Sequence, residues 1–249
     1  MSNIKTIRNK IKIMQECNTV CTSMSNLSII KMASAKQMVV ILEKNLKKLG
    51  NILYLKGLSK KFNQQLNYNF VYFSDFGFCG GFNNHCIDES IIGKQAKTPE
   101  MIKYNNILIG EKSNSDVKTS DINIFSNFIM NRFTETNNLS FTINHSFKNK
   151  VIKINIINFI KDFELIGKEI LVEIEPDNLL QVFYKLFTKY MFYVGSYHEN
   201  SFRTKLMKNA SDRTHDIIYE EKINLSKINQ MNVTNEIMLI VSGNGGFGD

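Results

Sequence analysis

The stretch with the clearest chemical outline is "FVYFSDFGFCGGFNNHCID", residues 70 to 88. The apolar run Phe70 to Phe73 predicts a strand. Gly77, Gly80 and Gly81 predict a turn, and the residues after it predict a helix. Strand, glycine turn and helix is the layout that cradles phosphate. The details argue against that use. The spacing Gly77-x-x-Gly80-Gly81 is neither Gly-x-Gly-x-x-Gly nor Gly-x-x-x-x-Gly-Lys-Ser/Thr. No Lys or Arg lies between Phe70 and Ile92 to neutralise a phosphate. The bulky Phe78 stands where a pyrophosphate would approach. The glycines are read instead as permitting positive φ in a tight, exposed turn. That turn presents Phe76 and Phe78 at the end of a sheet.

Other chemistry is sparse. Cys17, Cys21, Cys79 and Cys86, with His85 alongside, admit a zinc reading, but neither Cys spacing is the usual Cys-x-x-Cys knuckle. Free thiols acting as small core residues fit better. The four histidines (His85, His145, His198, His215) are scattered, and Gly-x-Ser-x-Gly is absent. The C-terminal "SGNGGFGD" follows a helical pattern, so it reads as a helix stop and tail. The residues therefore predict a chain that is not itself an enzyme and carries no cofactor or metal. They suit a shaft, a tether or an adaptor.

The elements that would position the turn follow from punctuation and charge. Neither Gly nor Pro occurs from Met1 to Leu49 or from Ser196 to Ser242. Helices average about 11–12 residues, so two such stretches predict unusually long ones. Ile4, Ile7, Ile11, Met14, Asn18, Cys21, Ser25, Ser28, Met32, Ala35, Val39, Leu42, Leu46, Leu49 and Leu53 recur at steps of three and four. That is a coiled-coil pattern with a polar interruption at 18–28. Met207, Ala210, Ile217, Ile218, Leu225, Ile228, Met231, Ile237, Met238 and Val241 give the last stretch an apolar face, a less regular one into which Glu221, Asn224 and Asn235 intrude. Between the ends, Phe70–Ser74, Asn106–Ile109, Val151–Phe159 and Ile170–Ile174 read as strands. Asn84–Ile92, Asp121–Phe133 and Asn178–Tyr193 read as helices. The predicted fold class is α/β: long terminal helices in an antiparallel coiled coil, and a central Rossmann-like α/β domain. The expected domains are 1–61, 62–195 and 196–249.

The net charge is +8, and it is unevenly placed. Residues 1–61 hold twelve Lys or Arg and two acids, Glu16 and Glu43, hence +10. A basic arm on a near-neutral body implies an acidic partner. No window is apolar enough to span a bilayer, and no secretory signal is legible, so the expected residence is cytosolic.

Three blocks resemble the gamma subunit of F-type ATP synthase, the central rotor. In residues 7–32, "IRNKIKIMQ…VCTSMSNLSIIKM", the matching positions are Ile7, Arg8, Lys10, Ile11, Met24, Lys31 and Met32. "SDFGFCGGFN", 74–83, is similar to the family's most specific block. Residues 199–243 match at Glu199, Arg203, Met207, Ala210, Lys227, Gln230, Thr234, Glu236, Ile240, Val241 and Gly243. Residues 95–195 show little similarity, and this region reads as shorter than usual. Two family arginines are replaced here, by Phe76 and Asn229.

The resemblance implies a rotor shaft turning inside a ring of alpha and beta subunits, one copy per ring, with ATP, ADP and Mg bound by those partners. It implies an epsilon-like subunit and a c-ring, or a replacement, as further partners and no nucleic acid. The chain would sit at the cytoplasmic face, peripheral to the membrane. It places Arg8, Lys10, Met24, Lys31, Phe76, Phe78, Gln230 and Thr234 at the contact with the ring, and Gly77, Gly80 and Gly81 in a structural turn. Alternatives are the gamma-like rotor of a specialised motor that does not move protons, a nucleotide-binding α/β protein with a helical dimerisation arm, and a coiled-coil tether for nucleic acid or membrane.

Overall fold

The computed structural model describes residues 2–55, 63–72, 74, 78–83, 106–110, 117–118, 137–145, 150–156, 158–161 and 176–244. Its elements in chain order are α1 (Ser2–Leu55), β1 (Asn63–Tyr72), β2 (Asn106–Gly110), β3 (Val117–Lys118), β4 (Asn137–His145), β5 (Lys150–Asn155), α2 (Asn158–Lys161) and α3 (Pro176–Asn244). Two of the predicted helices, 84–92 and 121–133, and the predicted strand 170–174 lie outside the described residues.

The two long helices are present, of 54 and 69 residues. The second starts about twenty residues before the breaker-free stretch. Pro176 opens it, where a fixed φ and a missing N–H cost nothing. Gly195, read from sequence as a boundary, lies inside the helix. So does Gly50, near the end of α1. Both are points of close approach. A β-carbon on Gly50 would overlap the Phe159 carbonyl, and one on Gly195 would overlap the Tyr72 ring. Glycine here is a notch in a helix surface and not a stop.

The chain divides into two compact units, 27–203 and the combination of 1–26 with 204–249. In the larger unit the strands form one sheet, ordered β3-β2-β1-β4-β5. β1 is parallel to β2 and β4, β2 is parallel to β3, and β4 is antiparallel to β5. Side chains alternate across a strand, yet Phe70, Val71 and Tyr72 are all buried. The end of β1 is therefore covered on both faces, as parallel strands normally are. The predicted strand 151–159 ends early: β5 stops at Asn155, and α2 follows after a turn. In the core, Leu42, Leu46 and Leu53 of α1 join Phe183, Phe187 and Tyr190 of α3. Phe159 sets its ring edge-on to Phe187 and Tyr190, at centroid distances of 5.9 and 5.3 Å.

In the smaller unit the ends of α1 and α3 pair antiparallel. Lys10 forms an ion pair with Glu221. Asn18 accepts hydrogen bonds from Ser211 and Thr214, and Thr22 lies within hydrogen-bond distance of Ser211. Numbers rise along one helix as they fall along the other.

Candidate functional site

The glycine turn is closed by its own groups. Asn83 pairs with the Ser74 backbone in both directions: its Oδ1 accepts from the Ser74 N–H at 2.8 Å, and its Nδ2 donates to the Ser74 carbonyl at 2.7 Å. The Phe82 N–H donates to the Cys79 carbonyl. Two backbone donors that a phosphate would need are thus already engaged. Gly80 has φ 51°, as the sequence suggests, but Phe78 has φ 67° as well. A bulky residue in that region is strained by roughly 1–2 kcal/mol. Its ring is 59% exposed. Gly81 is exposed, and Phe76 and Gly77 lie outside the described residues.

Beneath the turn lies a polar cluster that sequence reading missed. Glu199 and Arg203, one turn apart on α3, are both buried and paired at 2.6 Å. The same carboxylate accepts from Ser74 Oγ at 2.8 Å and from the Tyr72 hydroxyl at 2.9 Å. Arg203 also donates to Cys79 Sγ at 3.0 Å and to Asn200 Oδ1 at 3.0 Å. Burial raises the Cys79 pKa above its ordinary value, so the group is a neutral thiol at pH 7. Burial would lower the Arg203 pKa, but the negative charge of Cys79 when ionised and of Glu199 more than offsets this, and the net shift is upward. The cluster ties both ends of the turn to α3. Its signal in the sequence was the i, i+4 spacing of Glu199 and Arg203, the geometry of a helical ion pair.

The cysteines are free thiols among the described residues: Cys17 is exposed, Cys21 half-buried and Cys79 buried. Cys86 and His85 lie outside them. No group of three or more His, Cys, Asp or Glu among the described residues could hold a metal ion. No described helix is long and apolar enough to cross a membrane.

The remaining residues expected at a partner contact lie on the two helices. Arg8 and Lys31 are exposed, and Met24 is half-buried. Lys10 is half-exposed and held by Glu221 of the same chain. Gln230 and Thr234 are exposed neighbours on one helix face, Thr234 Oγ1 donating to the Gln230 carbonyl at 2.9 Å. Asn229 is exposed beside them.

The end of α3 departs from the expected apolar seam. Leu225 and Ile228 are half-buried, whereas Met231, Ile237, Met238 and Val241 are all exposed. The register explains this. With Lys10 beside Glu221, α1 has eight residues left, Ser2 to Asn9, while α3 has twenty-three, Lys222 to Asn244. The final turns of α3 overhang the pair. Leu239 and Ile240 are also exposed, at 71% and 64%, so apolar side chains surround the helix. A helix apolar all round is normally buried, and so large an exposed patch marks a contact surface.

A family model described as ATP synthase matches residues 3–245, nearly the whole chain. The chain belongs to the ATP synthase gamma-chain family. The ATP synthase gamma chain of Campylobacter curvus is 26% identical to it over 98% of both chains. That of Dictyoglomus turgidum is 24% identical over 97% of both. The Campylobacter alignment runs to 293 positions, more than the 249 residues here, so that relative has stretches without a counterpart in this chain. A chain of the Euglena gracilis mitochondrial ATP synthase (OSCP/F1/c-ring, rotational state 3) shares the fold, with TM-score 0.58 and 12% identity over 97% of this chain and 93% of that one. The gamma chain is a non-catalytic subunit, which accounts for a glycine turn that holds itself rather than a phosphate.

Proposed function

We propose that the chain is the central rotor shaft of an F-type rotary ATPase, coupling ATP synthesis or hydrolysis in an alpha–beta ring to rotation. The observation that carries this reading is the overhang of α3: an exposed apolar tip that extends past the described residues of α1. A ring of subunits with an apolar inner lining would cover that tip from every side. Burying apolar surface contributes about 25 cal/mol per Å², while a sleeve contact without fixed polar pairs still permits turning.

In this reading Arg8, Lys10, Met24, Lys31, Phe76, Phe78, Gln230 and Thr234 face the ring, and Gly77, Gly80 and Gly81 shape the turn that carries the two phenylalanines. The basic α1 meets an acidic segment of the beta subunits. ATP and Mg bind to the partner subunits, and the complex holds this chain at the membrane periphery through an epsilon-like subunit and a c-ring or its replacement. The central domain, 62–195, is a Rossmann-like body between the terminal helices.

Co-expression with the alpha and beta chains of the same source tests the proposal. One copy of this chain per three alpha and three beta, with ATP-driven rotation of a bead attached to it, is the expected result. A ring that assembles and hydrolyses ATP without retaining this chain would exclude a shaft role. The substitutions at Phe76 and Asn229 favour a second reading, a motor specialised away from proton transport. A complex that rotates but never co-purifies with a c-ring is its expected signature.

A further inference from the structure

The overhanging tip of α3 carries the two exposed methionines among the described residues. Met231 and Met238 are 64% and 63% exposed. Met191 and Met207 are buried, and the other described methionines are half-buried. The exposed pair is spaced i, i+7, so both side chains lie on one helix face, about 10 Å apart along the axis. Exposed Val233, Ile237, Leu239, Ile240 and Val241 surround them. These hydrocarbons are inert to mild oxidants, whereas a thioether is not. No Cys, His or Trp occurs from Asp216 to Asp249, so the two sulfurs are the readily oxidised groups of the tip. Oxidation converts a flexible apolar side chain into a polar one. In the free chain water solvates the added oxygen. An apolar cover would leave it unpaired.

We infer that Met231 and Met238 form a reversible oxidation site that governs whether partners can enclose the tip of α3. The inference rests on the shaft reading, in which an alpha–beta ring covers that tip. Hydrogen peroxide transfers one oxygen atom to each thioether sulfur, which loses two electrons, and the peroxide departs as water. Methionine sulfoxide reductases return the sulfur to the thioether. In that step two thiols become a disulfide, and the oxygen leaves as water. The site is open while the chain is free and closed once the ring surrounds it, so oxidation acts on the unassembled subunit. An oxidised tip carries two polar oxygens into an apolar lining, and each unpaired oxygen weakens the association.

The test treats the full chain with hydrogen peroxide and then with dithiothreitol, which reverses sulfenates and disulfides at its cysteines but leaves sulfoxide in place. Peptide mass mapping should find Met231 and Met238 oxidised well before Met191 and Met207. Mixed with the alpha and beta chains of the same source, the treated chain should bind about tenfold more weakly per sulfoxide than the untreated chain, with its helix content unchanged. Methionine sulfoxide reductases should restore the binding. In a complex assembled before treatment, both methionines should be protected. A variant with Met231→Leu and Met238→Leu stays apolar but lacks the sulfurs, and peroxide should leave its own affinity unchanged. Undiminished assembly of chain carrying both sulfoxides overturns the inference. So does an equal loss on treating the leucine variant, which would place the damage elsewhere. Loss of helix on oxidation, or oxidation as fast in the complex as in the free chain, overturns it as well. If the untreated chain fails to join the ring, the shaft reading itself falls, and this inference with it.

Discussion

The ring of Tyr72 fills the space in which a β-carbon on Gly195 would sit. The ring cannot easily yield, because its hydroxyl is held by the buried Glu199 carboxylate and its strand is covered on both faces. Alanine within a helix normally gains about 1 kcal/mol over glycine, whereas overpacking a tight core costs about 1–3 kcal/mol. The second effect should win here, so Gly195→Ala should lower stability to denaturant by roughly 1–2 kcal/mol. Gly243, with nothing within 4 Å of its would-be β-carbon, is the control, and Gly243→Ala should be neutral or slightly stabilising. A stabilised Gly195→Ala would mean that Tyr72 is free to move.

The polar cluster predicts an asymmetry between its two charged members. Glu199→Met takes the carboxylate away from the buried Arg203 guanidinium, and breaking a buried pair in this way costs about 3–5 kcal/mol. Arg203→Met leaves Glu199 with the Ser74 and Tyr72 hydroxyls as donors, so its cost should be smaller. The double variant should cost less than the two singles together, since they share one network. Denaturant unfolding of the three variants checks the order. Equal losses in both singles would show that the hydroxyls do not support the carboxylate.

Two tyrosines make the fold sensitive to alkali. Burial raises the pKa of Tyr184 strongly, and burial together with the negative charge of Glu43 pushes Tyr190 up to about 12. An unfolded tyrosine titrates near 10. The neutral form is the one the fold favours, so this contribution is complete below pH about 10 and is lost as pH rises towards 12. Tyrosinate absorbance should therefore show a late-ionising class that appears together with loss of helix. Tyr190→Phe should move that transition to higher pH. All tyrosines ionising near pH 10 with helicity intact would contradict the burial of both rings.

The sequence made the helical ends legible because apolar residues at steps of three and four, unbroken by Gly or Pro, leave few other solutions for Ile4 to Leu53. It split α3 at Gly195, reading Asn178–Tyr193 as a separate helix, for an equally physical reason. A glycine inside a helix is indistinguishable in sequence from one that ends it, and only the Tyr72 ring explains Gly195. β4 escaped notice because six of the nine residues in "NNLSFTINH" are polar, with Thr136 and Ser146 on either side. Glu199 and Arg203 were legible as matched positions and as an i, i+4 spacing, but not as a buried pair. That the pair is buried depends on Ser74 and Cys79, more than a hundred residues away. The overhang of α3 was hidden as well, because periodicity tells which residues share a face but not where the partner helix runs out.

Phe78 should behave in opposite ways alone and in a complex. Its φ of 67° belongs to the region that favours glycine, and its ring is 59% exposed. Removing the ring therefore loses little packing, while glycine relieves strain of roughly 1–2 kcal/mol. Phe78→Gly should raise the melting temperature of the isolated chain by a few degrees. In the proposed assembly the same change would remove an aromatic anchor presented on a braced turn, a residue type enriched at the centre of interfaces. Affinity for the alpha–beta ring should fall, by about tenfold if the anchor is worth the 1.4 kcal/mol that one decade represents. Phe78→Ala separates the two effects, since it loses the ring but keeps the strain: it should weaken assembly without stabilising the free chain. If both variants assemble as tightly as the parent, the turn does not touch the ring, and the strain at Phe78 serves only to aim Cys79 into the cluster below.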